Sequence, residues 1–173
     1  LVGPQEIKGA TEVLPFDPTA IAPGGAATGG LCDASTIVPG THRCVLDSGG
    51  LAEPCFTSGG LLLCSPDPVA GAVKALVNPA APPPTLIPPS VDQLVPFFVE
   101  LDGGRTCAIR TGVEPVLIGG APALFDCDTP YTYIVRFDKS APTWRAALVA
   151  LDPATGQTPG GETLVNVLRA WVP

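Results

Sequence analysis

Asp47-Ser48-Gly49-Gly50 has the residue types of a loop that presents a nucleophilic serine, and the only histidine of the chain, His42, lies six residues upstream. A serine becomes a nucleophile when a general base sits within hydrogen-bond reach and a third group orients that base. Here one histidine would have to serve, next to Thr41, Arg43 and Cys44. A half-exposed strand histidine is the plainer expectation for His42. Asp126 and Asp128 flank Cys127, yet residues two apart on a strand share a face without the loop that wraps a cation, so they read as a polar strand end.

The serine loop resembles that of chymotrypsin-like proteases, but the resemblance stops at four residues. In those enzymes the base and its aspartate come from a barrel far earlier in the chain, and here 47 residues precede Ser48. Leu46 stands where a glycine is usual and Leu51 where a proline is usual. Asp47 and Ser48 are good turn formers, so the stretch is expected to be a β-turn. No cofactor fingerprint or second histidine is present, and the expectation is a protein that is not an enzyme and needs no cofactor.

The six cysteines, Cys32, Cys44, Cys55, Cys64, Cys107 and Cys127, contain no C-x-x-C. Zinc sites draw their ligands from close pairs in tight turns, so three disulfides in an oxidising compartment are expected rather than a metal. RTCAIR and ALFDC flank a glycine-rich connection and suit adjacent antiparallel strands, which pairs Cys107 with Cys127. The other four allow three connectivities. Cys44 with Cys55 and Cys32 with Cys64 is the pairing we expect among them.

The elements that must position these residues read as strands. HRCVL, EPCF and LLLCS are separated by Gly49-Gly50 and Gly59-Gly60, and GAVKALVN adds a further strand with Val73, Ala75 and Val77 on one face. LVPFFVELDGGRTCAIR reads as a hairpin turning at Asp102-Gly103-Gly104. YTYIVRF, with Tyr131, Tyr133, Val135 and Phe137 on one face, TWRAALVAL and TLVNVLRAWV complete the set. Trp144 and Trp171 lie in such segments and are expected to pack. The seven Gly-Gly pairs are taken as punctuation between strands, not as a phosphate-binding fingerprint. An all-β antiparallel sandwich or barrel, stapled by disulfides, follows.

Residues 1–31 carry no cysteine and read as an extended Gly/Pro-rich arm, ahead of a single all-β domain over 32–173 with a proline-rich connector at 79–89. Ile7, Thr11 and Val13 share one face of a period-two stretch, so the arm is expected to form a strand, docked on its own domain or on a neighbouring copy. With 16 acidic and 9 basic residues the net charge is -7 and the pI about 4.4, so a nucleic-acid partner is not expected. Mean hydropathy is +0.36, but no apolar run approaches the roughly 18 residues of a spanning helix, so membrane insertion is not expected. A processed N terminus is expected from the absence of Met, and the scarcity of Asn beside 22 Pro suits a heat-tolerant source.

Arg43-Cys44, Pro54-Cys55-Phe56, LLCSPDP at 62–68, FFVELDGGRTCAI at 97–109, Cys127 and SAPTW at 140–144 together carry a resemblance. Over about residues 32–146 the chain resembles an uncharacterised disulfide-containing domain of secreted proteins and lipoproteins of actinobacteria and related bacteria. The resemblance implies an extracellular or cell-surface address and disulfides, and no catalytic residues. The arm and the proline-rich insert are departures from it. The function expected is a non-catalytic secreted structural protein whose arm adds a strand to a neighbour, making filaments. Its partners are then copies of itself or another extracellular protein. The alternative is an extracellular sensor or inhibitor module contacting its partner through loops such as 79–89 or 152–161.

Overall fold

A computed structural model describes residues 9–112 and 114–173; Ile7 lies outside the described residues. The fold is all-β, as the alternation and turn chemistry require. The strands are β1 (Glu12–Pro15), β2 (Thr28–Ala34), β3 (His42–Leu46), β4 (Leu51–Ser58), β5 (Leu61–Asp67), β6 (Ala72–Pro79) and β7 (Phe98–Leu101). They continue with β8 (Thr106–Ile109), β9 (Leu117–Ile118), β10 (Ala121–Pro122), β11 (Phe125–Cys127), β12 (Thr132–Asp138), β13 (Arg145–Ala150) and β14 (Thr163–Val172). Two compact units share them.

One unit comprises Leu14–Phe98, Ala108–Pro115 and Trp171–Pro173. Its heart is a closed barrel of β2-β3-β4-β5-β6. Each strand pairs antiparallel with the next, and five is odd, so the first and last run the same way and the closing pair must be parallel. Thr28, Gly29 and Gly30 accordingly sit opposite Val77, Asn78 and Pro79 in parallel register. Here the expectation that every Gly-Gly pair punctuates between strands is corrected: Gly29-Gly30 lies inside β2. A Cβ on Gly30 would stand 2.8 Å from the Val45 carbonyl oxygen, so close approach of neighbouring backbone, not turning, demands the glycine.

Strands β4 and β5 are buried on both faces, which is why LLLC is a continuous apolar run rather than an alternating one. Inward go Cys44, Ala52, Cys55, Leu62, Cys64 and Val77. On the opposite face Leu63 and Leu76 pack with Ile21 and Phe16, and Phe16, Phe56 and Phe97 form a ring cluster with centroids 4.6–5.4 Å apart. Burying a side chain of this size contributes about 1.5–3 kcal/mol. The arm residues from Leu14 to Ile21 thus cover barrel strands of their own chain. Asp17 accepts from the N–H and hydroxyl of Thr19, at 2.9 and 2.6 Å, and so caps the short turn Pro18–Ala20. Donation by the Thr19 hydroxyl, then by its N–H, lowers the Asp17 carboxyl below its usual range.

The other unit comprises the described part of Leu1–Val13, Val99–Cys107 and Val116–Ala170. The sheet order is β1-β14-β13-β12-β11-β8-β7, and β14 also pairs with β7. Ala123, Tyr133 and Val149 form a core with Val116, Ile118, Val135 and Leu151 around them. A register shift between Ile134 and Arg136 interrupts β12. The expected single face of Tyr131, Tyr133, Val135 and Phe137 is therefore corrected: Thr132, Tyr133 and Ile134 are all buried, and Tyr131 is exposed at a φ of 56°. The β12–β13 turn is held by Asp138, which accepts from the Ser140 N–H and hydroxyl and pairs with Arg145 at 2.6 Å. No helix among the described residues is long and apolar enough to cross a membrane.

Candidate functional site

The densest chemistry lies in the barrel interior. Cys32 on β2 faces Cys44 on β3, and Cys55 on β4 faces Cys64 on β5, each directly across an antiparallel register. Side chains directly opposite are the closest cross-strand neighbours, and the disulfides are accordingly Cys32–Cys44 and Cys55–Cys64. The expected pairing of Cys44 with Cys55 and Cys32 with Cys64 is corrected: Cys55 stands opposite His42, and Cys44 opposite Ala52. Cys107–Cys127 forms as expected, between neighbouring strands β8 and β11.

The two barrel bridges lie close together. The Sγ atoms of Cys44, Cys55 and Cys64 lie within 4.8 Å of one another, and all three residues are fully buried. Those sulfurs are committed to disulfides, which lack the thiolate charge that grips zinc. Cys32 is partly exposed and is the member of this group nearest solvent.

Buried polar groups surround the same strands. The Ser35 hydroxyl donates to Glu53 Oε2 at 2.6 Å and accepts from the N–H groups of Ile37 and Val38, shaping the β2–β3 connection. Ser65 and Thr111 hydroxyls both donate to the Glu53 carbonyl. Sequence reasoning missed this knot because a glutamate between Ala52 and Pro54 carries no local signal of burial. His42 is buried, not half-exposed, which corrects the expectation. Its ring lies 2.9 Å from the Pro84 carbonyl of the proline-rich connector, so Nε2 donates, and Nδ1 is a buried nitrogen with no hydrogen-bond partner among the described residues.

Ser48 sits in a turn of Leu46 to Gly50, where Gly49 N–H donates to the Leu46 carbonyl and Gly49 and Gly50 hold φ near 90°. The turn reading of DSGG is what the backbone requires. Asp128 accepts from the Thr106 N–H and lies beside Arg105, tying the strand end next to the Cys107–Cys127 bridge. Lys139 stands over Trp144 at 4.4 Å, and its burial lowers the ammonium pKa. Trp171 packs edge-on against Phe98 at 5.7 Å.

The arm is seated in its own chain. Thr11 is buried, donates from Oγ1 to the Val167 carbonyl at 2.7 Å and receives the Trp144 N–H on the same oxygen at 2.7 Å. Its N–H donates to the Pro142 carbonyl, and Thr143 Oγ1 donates to the Gly9 carbonyl. Val13 is exposed. On the barrel surface Leu31, Val45 and Leu51 stand in register across β2, β3 and β4, 63%, 49% and 41% exposed. Comparison with protein-family models, curated proteins and solved structures finds no match.

Proposed function

We propose that this is a non-catalytic structural protein of the cell exterior, whose copies join by exchanging the N-terminal strand. The observation that carries the reading is the seat of the arm. Apart from the Thr11 and Thr143 hydroxyls, its bonds run between main-chain groups: Thr11 N–H to Pro142, and Phe16 N–H to the Val172 carbonyl. Such bonds are equally good when the strand comes from another copy. Pro15 ends the strand, Pro18, Pro23 and Gly24-Gly25 follow it, and together they loosen its continuity with β2. The three disulfides suit a non-cytoplasmic, oxidising compartment, the address that the sequence resemblance also implies.

The test is deletion of residues 1–13, with light scattering and electron microscopy of native and shortened protein over a range of concentrations. Exchange predicts larger species in the native protein that are lost on deletion. A native chain that is monomeric at every concentration contradicts it.

A second reading, an extracellular binding module, is favoured by the Leu31-Val45-Leu51 row, because contiguous exposed apolar surface marks interaction sites. L31S/V45S separates the two. If this variant abolishes association that survives deletion of residues 1–13, the barrel row is the contact.

A further inference from the structure

We propose that the two barrel bridges are an exchange-coupled pair, through which an external thiol acting at Cys32 transfers its reduction to the buried Cys55–Cys64 bond. The geometry supplies a way in and a way onward. Cys32 is partly exposed, whereas Cys44, Cys55 and Cys64 are sealed from solvent. A thiolate from solvent therefore meets the Cys32–Cys44 bridge first, on the Cys32 sulfur. Cys44 Sγ already lies within 4.8 Å of both Cys55 Sγ and Cys64 Sγ. Besides the mixed disulfide it has just left, a freed Cys44 thiolate has the second bridge within reach as an electrophile.

The chemistry is thiol–disulfide exchange. The external thiolate attacks Cys32 Sγ, forms a mixed disulfide there and breaks the bond to Cys44, which leaves with the electron pair. Cys44 then attacks Cys55 Sγ or Cys64 Sγ, forms a bond to one and releases the other as a thiolate, which takes up a proton. A second external thiolate attacks the outer sulfur of the mixed disulfide and leaves Cys32 as a thiol. Two external thiols have become one external disulfide. The barrel keeps one bridge, Cys44–Cys55 or Cys44–Cys64, and holds two thiols, one at Cys32 and one in the interior. The reductant is a small thiol or a dithiol protein of the same compartment. Cys107–Cys127 belongs to the other unit and has no third sulfur in such a cluster among the described residues.

The experiment treats the native protein with graded reduced glutathione, quenches with acid, alkylates the free thiols and maps peptides without further reduction. Exchange predicts that the native Cys32–Cys44 and Cys55–Cys64 peptides disappear in parallel. Peptides joined through Cys44 to Cys55 or Cys64 appear as they go, with alkylated Cys32. Loss of Cys32–Cys44 with both its cysteines alkylated and Cys55–Cys64 intact overturns the proposal, as does opening of Cys55–Cys64 first. C32S gives a second readout: its free thiol should distribute over Cys44, Cys55 and Cys64, whereas C32S/C44S should show no free thiol. Label confined to Cys44 in C32S refutes the coupling, and the wild-type titration stands whether or not C32S folds.

Discussion

Thr11→Val swaps a hydroxyl for a methyl of the same shape and so isolates the bonds that seat the arm. In the wild type one oxygen serves two backbone groups, donating to the Val167 carbonyl and accepting from the Trp144 N–H, each at 2.7 Å. The variant leaves both without that partner. An orphaned buried polar group costs about 1–3 kcal/mol, and the half-buried Trp144 N–H recovers part of its share from water, so the loss expected is about 2–4 kcal/mol. Against a total stability of about 5–15 kcal/mol this is large. With a urea slope of about 2 kcal/mol/M the midpoint falls by about 1–2 M. Thr11→Ser keeps the hydroxyl and loses one methyl, which costs about 0.8 kcal/mol or about 0.4 M. Urea melts followed by tryptophan fluorescence, with limited proteolysis of the N terminus alongside, measure both. Equal midpoints for the two variants would refute the reasoning, because the hydroxyl would then carry none of the seat.

Three further outcomes are expected. Removing the bridges as Cys→Ala pairs costs about 3 kcal/mol each from loop entropy at separations of 20, 12 and 9 residues. The hole left by two fully buried sulfurs makes C55A/C64A the worst of the three despite its short loop, and urea melts that put C107A/C127A lowest would contradict this. Gly30→Ala meets the Val45 carbonyl and should cost about 1–3 kcal/mol, while Gly24→Ala, open on all sides, should stay within about 0.5 kcal/mol; equal thermal midpoints would be the contrary result. Donation from the Ser140 hydroxyl, then from its N–H, and then the Arg145 guanidinium, hold the Asp138 carboxyl well below its ordinary 3.8. The unfolded chain therefore binds this proton first as pH falls, so the stabilisation is complete above about pH 4 and is lost progressively below it. Asp138→Asn should match this by narrowing its stability deficit below pH 4, and a deficit that stays constant into acid would count against the assignment.

Strand positions were legible because turn glycines and apolar alternation report local conformation directly, as at Asp102-Gly103-Gly104 between β7 and β8. The Cys107–Cys127 pair was legible for the same reason, through the glycine-rich connection between two clear strands. What escaped were facts of register. Cys44 pairs with Cys32 because the two stand opposite each other across β2 and β3, while an irregularity between His42 and Cys44 offsets the β3–β4 register, which sets Cys55 opposite His42 and Cys44 opposite Ala52, and no local pattern records either. Gly29-Gly30 looks like any other glycine pair until the neighbouring strand closes on it. The burial of His42 depends on Pro84, 42 residues away, and the cover that Phe16 and Ile21 give the barrel is equally remote in sequence.

Every cysteine is spent in a staple between facing strands, which leaves no free nucleophilic sulfur. Mass-spectrometric mapping of the untreated native protein, alkylated before digestion, tests it most directly. The expected result is no alkylated cysteine and three bridged peptides joining Cys32 to Cys44, Cys55 to Cys64 and Cys107 to Cys127. Free thiols, or bridges that join Cys44 to Cys55 and Cys32 to Cys64 in the untreated protein, would contradict it.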